Sequence, residues 1–257
     1  MSGSKNLIAL HTLVRREVVR IMRIWTQTLI PPAITMTLYF VIFGKLIGGR
    51  IGEMHGFTYM QYIVPGLVMM SIITNSYGNI SSSFFGAKFS RAVEEMLVSP
   101  MPNWVILLGY VIGAVLRGLI VGILVLCIAL FFTDLHVAHP LITLGSVLMG
   151  ATVFSLAGFV NAVYAKKFDD IALVPTFVLT PLTYLGGVFY SVDLLSQPWR
   201  SISMANPILY MVNAFRFGVL GVSDVNIYVA FGVMSLFVLG LGALGLYLLR
   251  KGVGLRS

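Results

Sequence analysis

Four polar side chains recur at helical spacing within a long uncharged stretch of the sequence. They are Ser71, Asn75, Asn79 and Ser82. Steps of four, four and three residues place them on one face of a helix. Hydroxyl and amide groups in a membrane helix face protein or a water-filled cavity rather than lipid. The stripe therefore predicts either one wall of a polar route across the membrane or a set of hydrogen bonds between helices.

A second group of polar and aromatic side chains surrounds two prolines, Pro175 and Pro181, and the pair Gly186 and Gly187. Proline within a membrane helix removes a backbone donor and permits a bend. We expect a kinked helix whose side chains line the same route, namely Thr176, Thr180, Thr183, Tyr184, Phe189 and Tyr190. An aromatic belt at the membrane boundary is the alternative interpretation of the aromatic members.

Motifs for catalysis are missing from the sequence. It contains no Gly-Lys-Ser or Gly-Lys-Thr, so the phosphate-binding loop of many ATPases is absent. His136 and His139 share a short loop with Asp134, but this set is too weak to predict a metal site. Cys127 is the single cysteine, which excludes an internal disulfide. We expect no catalytic residue, cofactor or metal ion in this chain.

These side chains are carried by long stretches without charge. Hydrophobic residues make up 58% of the chain and charged residues 10%, which is too few charges for a water-solvated surface. About 20 apolar residues in a helix cross a bilayer core. We predict an all-α membrane protein, a single transmembrane domain over residues 1–257 with spans at about 24–46, 59–87, 104–132, 141–165, 171–190 and 225–249.

Basic residues are distributed unequally about these spans, with twelve on one side and four on the other. The larger group is Lys5, Arg15, Arg16, Arg20, Arg23, Lys88, Arg91, Lys166, Lys167, Arg250, Lys251 and Arg256. The smaller group is Lys45, Arg50, Arg200 and Arg216. Basic residues stay on the cytoplasmic side, so both termini are predicted to be cytoplasmic. The net charge of +8 is then a topology signal, and we expect no nucleic-acid partner.

The N-terminal segment 5–23 is predicted to be an amphipathic helix along the cytoplasmic interface. Its apolar positions are Leu7, Leu10, Val14 and Ile21, and a separate basic face holds Arg16, Arg20 and Arg23. The basic face would meet anionic lipid head groups and the helix would touch a cytoplasmic partner. A basic leader that only sets topology is the alternative.

Residues 88–100 alternate charged and apolar side chains at helical spacing and end at a proline. They predict a short cytoplasmic amphipathic helix with a ridge of Phe89, Val93 and Met96. A docking surface would cover this ridge, whereas an ordinary solvated helix would leave it exposed.

The third uncharged stretch holds two pairs of glycines, Gly109 with Gly113 and Gly118 with Gly122, which predict close helix packing. Arg117 lies between them, and no acidic residue of the spans is deep enough to pair with it. We expect its side chain to snorkel or to bond backbone carbonyls, with a functional role as the alternative.

The outward connection 191–224 contains two predicted helix starts. One is Pro198-Trp199, and the other is Asn206-Pro207, with Asn as N-cap and Pro at the first helical position. The helix after Asn206 is too short to span, so we predict an outer cap of re-entrant or interfacial helices.

Residues 179–216 resemble the signature of ABC-2 type transporter permeases. The resemblance lies in Leu-Gly-Gly-Val at 185–188, in Asn206, Pro207 and Tyr210, and in Arg216. It implies a bacterial inner-membrane exporter subunit that pairs with a second copy of itself and with two copies of an ABC ATP-binding subunit, which binds ATP and Mg²⁺. It also implies that the spans contact membrane lipids.

The resemblance assigns roles to residues as well. The helix at 88–100 becomes the ATPase coupling helix, with contacts from Phe89, Val93, Glu94, Glu95 and Met96. Spans two and five face each other across the dimer axis and line the route. Asn206, Pro207, Tyr210 and Arg216 belong to the re-entrant cap that closes the outer end.

Two other functions remain open from the residues alone. An ion- or proton-coupled transporter or channel would need buried carboxylates at mid-membrane, which the predicted spans lack. A non-transporting scaffold or membrane-bound enzyme is the third possibility. The transported substrate is not identified by the sequence.

Overall fold

The computed structural model describes residues 3–254 apart from the side chain of Lys45. Arg256, counted above among the cytoplasmic basic residues, lies outside the described range. In chain order the helices are α1 (Gly3–Arg23), α2 (Trp25–Tyr39), α3 (Gly48–Ile51), α4 (Tyr59–Phe89), α5 (Ala92–Val98), α6 (Asn103–Ala129), α7 (Pro140–Tyr164), α8 (Phe168–Val174), α9 (Thr180–Tyr184), α10 (Trp199–Met204), α11 (Pro207–Leu220) and α12 (Ile227–Lys251). Two π-helical segments, Phe40–Ile47 and Pro175–Leu179, join α2 to α3 and α8 to α9. A 3₁₀ turn follows at Val192–Leu194.

The sheet content of the described residues is one small hairpin. β1 (Glu53–Met54) pairs antiparallel with β2 (Phe57–Thr58), with Glu53 opposite Thr58. The two turn residues His55 and Gly56 both have positive φ, at 51° and 79°. This geometry is typical of a two-residue hairpin turn. The chain is therefore an all-α membrane protein, and the hairpin within its described residues lies at the N-terminal end of α4.

Four helical stretches are long and apolar enough to cross a membrane. They are Trp25–Ile51, Asn103–Ala129, Pro140–Tyr164 and Ile227–Lys251, and they coincide with predicted spans one, three, four and six. The second predicted span corresponds to α4, which has 31 residues but carries the Ser and Asn side chains described above. The fifth is divided among α8, a π-segment and α9. The six-span topology stays a prediction.

α4 lies at the centre of the fold, where it packs against α6, α7 and α11. Its first turn is fixed by a capping box, because Thr58 Oγ1 accepts a bond from Gln61 N at 3.4 Å and Gln61 Oε1 accepts one from Thr58 N at 3.1 Å. α6 approaches closely because a Cβ at Gly122 would lie 2.6 Å from the Ile72 side chain. The predicted role of the glycine pairs in helix packing is therefore confirmed.

The fifth predicted span departs from a regular α-helix at its prolines. The helix begins at Phe168 rather than 171 and ends at Tyr184 rather than 190. Thr180 donates both its backbone N–H and its hydroxyl to the Pro175 carbonyl, the latter at 2.9 Å. Gly187, at φ 68°, then turns the chain. The predicted disruption at the prolines takes the form of a π-helical turn, since neither proline has a backbone donor.

Both helix starts predicted in the outward connection are confirmed. α10 begins at Trp199, and α11 begins at Pro207 with Asn206 as its N-cap. The Asn206 side chain accepts a bond from Ile208 N at 3.0 Å and donates to Leu182 O at 2.6 Å. The same residue thus starts α11 and ties it to α9.

Candidate functional site

One face of α4 is left uncovered by the rest of the described chain. Thr74, Gly78 and Ser82 are exposed at successive turns, and Asn75 beside them is half-buried. The Ser82 hydroxyl donates to its own helix at Gly78 O, at 2.8 Å. Small and hydroxylated residues on an open face of a membrane helix are typical of a helix contact or of a polar cavity. This face is the candidate wall of the route.

The predicted stripe on α4 is split between this open face and the protein interior. Ser71 and Asn79 are buried, whereas Asn75 is half-buried and Ser82 is exposed. Ser71 Oγ donates to Leu67 O at 2.9 Å, within the same helix. Only the Asn79 side chain among the four bonds another helix. Asn79 therefore fits the interpretation as a hydrogen bond between helices, whereas the exposed Ser82 fits the interpretation as part of the wall of a polar route.

The predicted residues of the kinked helix are also divided. Thr176 and Thr180 are exposed and Tyr184 is 45% exposed. Thr183 is buried, and its hydroxyl bonds Leu179 O at 2.7 Å. Tyr190 is half-buried, and its hydroxyl lies 3.4 Å from Ser203 Oγ. Three of the six predicted side chains thus face outward on α8–α9.

Aromatic rings join α2 to α9 at their outer ends. The hydroxyls of Tyr39 and Tyr184 are 3.2 Å apart. The Phe189 ring lies 5.0 Å from Phe43 and 5.9 Å from Tyr184, centroid to centroid. The Phe189 carbonyl accepts a bond from the Tyr59 hydroxyl at 3.1 Å. The cluster is a narrow aromatic contact at the outer end, between two helices that contain π-turns.

Glu17 is the charged residue that sequence reasoning missed. Only 1% of its surface is exposed, at the junction of α1, α4 and α6. Its two carboxylate oxygens share the single hydroxyl donor of Ser83, at 2.7 and 2.8 Å. Arg16 and Arg20 form ion pairs with it at 3.5 and 3.3 Å. A buried carboxylate is tolerated when it is paired in this way.

A signal for Glu17 exists in the sequence. In the apolar series Leu7, Leu10, Val14 and Ile21, position 17 is the missing member at helical spacing. An acidic residue on the apolar face of a basic helix indicates a buried polar partner, here Ser83.

α1 packs lengthwise along α6 rather than apart from the helical bundle. A Cβ at Gly109 would lie 2.8 Å from Leu13 Cβ, and a Cβ at Gly113 would lie 2.5 Å from Glu17 Cβ. Because the residue numbers of the contacting pairs increase in the same direction along both helices, α1 runs parallel to α6. α1 therefore packs against two long helices, and its position along the membrane interface stays a prediction.

Arg20 and Arg117 converge on Asn79. Arg20 Nη2 donates to the Asn79 side-chain oxygen at 2.6 Å and to its carbonyl at 3.2 Å. Arg117 Nη1 donates to the same side-chain oxygen at 3.4 Å. Its partner is thus an amide side chain rather than the backbone carbonyls expected from the sequence. Asn79 links α1, α4 and α6 where these three helices meet.

A second buried centre lies around Arg216 near the outer end. Arg216 is fully buried, and it donates to Tyr62 O at 3.3 Å and to Gly187 O at 2.6 Å. Its guanidinium lies 4.0 Å from the centre of the Tyr62 ring. The Tyr62 hydroxyl in turn donates to Asp224 at 3.3 Å. Tyr210, by contrast, bonds Met204 O at 2.8 Å and ties α11 to α10.

The Asp224 carboxylate lies in a group of three potential metal ligands. His55, Asp193 and Asp224 have ligand atoms within 4.8 Å of one another. Arg200 already pairs with Asp193 at 2.9 Å. Ser191 Oγ and Val192 N each bond Asp224 at 2.9 Å. These partners occupy the carboxylates, so the group is explained as a hydrogen-bond centre that ties the hairpin to the outer connection.

The predicted coupling helix is shorter than its sequence pattern. α5 covers Ala92–Val98, and the chain breaks from α4 at Arg91, whose φ is 61°. Phe89 therefore belongs to α4, where it is 68% exposed. Val93 is buried and Met96 and Glu94 are half-buried, while Glu95 is exposed. Val93 thus holds α5 against the bundle.

An aromatic residue from the turn between α7 and α8 lies beside Phe89. Phe168 is 57% exposed, and its ring lies 5.1 Å from Phe89 and 4.9 Å from the buried Phe85. Lys88 Nζ bonds the carbonyls of Val163 and Ala165 at 2.6 and 2.7 Å, so α4 caps the end of α7. The turn between α4 and α5 and the turn between α7 and α8 therefore form one apolar surface.

Asp170 orders the turn that precedes Phe168. Its carboxylate accepts bonds from the backbone N–H groups of Lys166 and Lys167 at 2.8 and 2.9 Å. These backbone bonds lower the pKa of the Asp170 carboxyl below its ordinary value.

The chain is similar to one family model and to several known membrane-transport and nodulation proteins. A family model described as ABC-2 type transporter matches residues 8–220. The chain is 57% identical over 250 residues to the inner membrane transport permease YadH of Escherichia coli strain K12, covering 97% of this chain and 98% of that protein. It is 25% identical over 220 residues to nodulation protein J of Neorhizobium galegae, covering 83% and 82%. The corresponding protein of Rhizobium leguminosarum bv. viciae is 22% identical over 202 residues, covering 78% of each.

Proposed function

The chain belongs to the ABC-2 type transporter family, and from this premise we propose that it is the permease subunit of an ATP-driven exporter. The resemblance found in residues 179–216 is thereby confirmed. As a bacterial inner-membrane transport permease, the chain contributes helices rather than catalytic groups. We assign ATP and Mg²⁺ binding to a separate ABC ATP-binding subunit.

The observation that carries this proposal is the apolar surface on the cytoplasmic turns. Phe89 and Phe168 expose 68% and 57% of their surfaces, and Val98 on α5 exposes 88%. An apolar surface of this kind, next to the exposed carboxylate of Glu95, is suited to protein contact rather than to water. We propose that one ATPase subunit docks on it, so that two copies serve a dimeric permease.

A second copy of this chain would cover the open face of α4. Spans two and five each expose hydroxylated residues, Ser82 on α4 and both Thr176 and Thr180 on the fifth span. Paired across a dimer axis, these faces would enclose a route of Ser, Thr, Asn and Tyr side chains between apolar walls. Such a lining suits an amphipathic cargo. Lipid would surround the remaining helices.

ATP-driven closure of the two ATPases would push the α5 helices together. α5 is anchored through Val93 to the inner core, which also holds Phe84 of α4 and Tyr110 of α6. The displacement therefore passes to α4 and α6 as a unit, while the π-turns let spans one and five adjust. The outer cap, held by Arg216, would open in response, with both termini remaining cytoplasmic.

The test of this proposal is assembly with the ATP-binding subunit. We expect Phe89→Asp with Glu95→Lys to reduce co-purification of that subunit at least about tenfold, because an apolar contact and a charge pair are removed together. The stimulated ATP hydrolysis of the complex should fall in parallel. The matched control is Leu194→Asp with Glu53→Lys on the outer side, where both residues are exposed.

Unchanged assembly and ATP hydrolysis in the first variant would contradict the docking surface. Transport that persists without ATP and collapses with an ion gradient would instead favour a coupled transporter. The structure gives that alternative little support, because the buried Glu17 carboxylate is already engaged by Arg16, Arg20 and Ser83.

A further inference from the structure

A groove between α1 and the cytoplasmic half of α4 carries a strong excess of positive charge. Its volume is about 620 Å³. Its charged lining residues are Arg15, Arg16, Glu17, Arg20 and Arg23. Four guanidinium groups against one carboxylate leave a net charge of +3. Hydroxyl groups of Thr12, Ser82, Ser83 and Ser90 complete the polar lining. Such a set of donors fits an anion.

Two of these arginines are fixed in place. Arg16 bonds the Tyr110 hydroxyl, and Arg20 bonds Asn79 at 2.6 Å. Glu17 holds both from behind, and its oxygens are already occupied by Ser83. The single carboxylate therefore orients these two arginines and leaves the groove with its net charge of +3.

The other two arginines lie at the rim. Arg15 and Arg23 are exposed, and neither has a hydrogen bond or ion pair among the residues that the structure describes. A guanidinium presents several donors that match phosphate oxygens. A phosphate group can therefore bond the fixed arginines at the back of the groove and the unpaired arginines at its rim.

The depth of the groove matches that of lipid phosphates. A helix rises about 1.5 Å per residue, so about 20 residues cross the hydrocarbon core of about 30 Å. Counted from Tyr59 at the outer end of α4, the inner edge of the core falls near Asn79. Ser82 and Ser83 then lie about 5 Å beyond that edge, in the head-group layer. The groove opens at this level.

We infer that this groove binds the phosphate of an anionic amphiphile from the cytoplasmic leaflet. A phospholipid head group and free phosphate share this chemistry. The inference rests on the proposed function only for the side of the membrane on which α1 lies. It does not depend on ATP or on a partner subunit.

The test uses the purified full chain without ATPase, in nanodiscs of neutral phosphatidylcholine. Phosphatidylglycerol is titrated in and the bound lipid is counted by native mass spectrometry, with inorganic phosphate added as a competitor in a second arm. The test variant is Arg15→Gln with Arg23→Gln, which removes the two unpaired arginines. The matched control is Lys166→Gln with Lys251→Gln, two exposed cytoplasmic lysines outside the groove.

We expect saturable binding that the groove variant weakens about 30-fold, at about fivefold for each arginine. The control variant should bind as the wild type does. Competition by inorganic phosphate would identify free phosphate as an occupant, and resistance to it would identify the lipid; both outcomes support the site. Thr12→Glu, which keeps every arginine but adds a carboxylate to the lining, should also weaken binding.

Equal losses in the groove and control variants would overturn the inference, because binding would then follow only the general surface charge. Binding that does not saturate would overturn it as well. Because assembly with an ATPase is not measured here, failure of this site leaves the proposed function standing.

Discussion

Replacing Gly113 by alanine should separate α1 from α6. An added Cβ would lie 2.5 Å from Glu17 Cβ and 2.8 Å from its Cγ. Carbon atoms in contact prefer about 3.5–4.0 Å, so α1 must withdraw by about 1 Å. The Ser83–Glu17 bonds of 2.7 and 2.8 Å would then exceed hydrogen-bond range.

The expected cost follows from these two effects. Overpacking of this degree costs about 1–3 kcal/mol. Loss of a hydrogen bond to a charged group costs about 1.5–3 kcal/mol. Replacing a helical glycine by alanine stabilises the helix by up to about 1 kcal/mol. The net destabilisation is about 1.5–6 kcal/mol, which corresponds to a fall in melting temperature of at least about 3 °C for a chain of this size.

Gly240 provides the matched control for Gly113. It also lies within a long helix, but no heavy atom is within 4 Å of its added Cβ. We expect Gly240→Ala to leave the melting temperature unchanged or slightly raised. Unfolding followed by size-exclusion chromatography in detergent measures both variants, and tryptic cleavage at Arg23 reports the release of α1. Equal melting temperatures for the two alanine variants would refute the close packing of α1 on α6.

Three further substitutions test other contacts. Arg216→Lys should lower the melting temperature by several degrees, because lysine lacks the planar guanidinium that bonds the Tyr62 and Gly187 carbonyls and lies over the Tyr62 ring. Lys88→Met should do the same by exposing the carbonyls at the end of α7, whereas Lys251→Met should not. Asp170→Ala should speed hydrogen exchange of the two backbone amides it holds at pH 7. Because these bonds depress the pKa of Asp170, the difference from wild type should persist at pH 5 and vanish only as the pH falls below the ordinary value of 3.8.

The helical framework is readable from the sequence because lipid permits few alternatives. A stretch without charge and about 20 residues long has little choice but to form a helix across the bilayer, and four predicted spans match helices of sufficient length and apolar character. The start of α11 was equally accessible, because Asn206 and Pro207 act through local backbone geometry. Signals of this kind do not depend on distant residues.

Burial of polar groups was less predictable. Asn75 and Asn79 have the same side chain and lie one turn apart, yet only Asn79 meets Arg20 and Arg117. Which amide faces a partner depends on where α1 packs, and helical periodicity does not contain that information. Periodicity places Glu17 on the apolar face of α1, but it does not identify Ser83, which lies 66 residues away on another helix, as the partner.

The outer centre illustrates a different limitation. Arg216 was identified by resemblance, but its contacts with Tyr62 and Gly187 join residues separated by 154 and 29 positions. No spacing rule connects such residues. Their association is a property of the tertiary fold alone.

The two π-helical segments give the protein a mechanical property that straight helices lack. In the π-helical segments Phe40–Ile47 and Pro175–Leu179, each backbone hydrogen bond closes a turn that contains one residue more than an α-helical turn. We expect that this extra residue can shift to an adjacent turn by exchange of one backbone hydrogen bond for another, which would rotate the part of the helix beyond it. The ring of Phe43, in the first π-segment, contacts the ring of Phe189, which follows α9. We therefore expect a rotation of one helix to displace the other. The C-terminal ends of α2 and α9 would then move together.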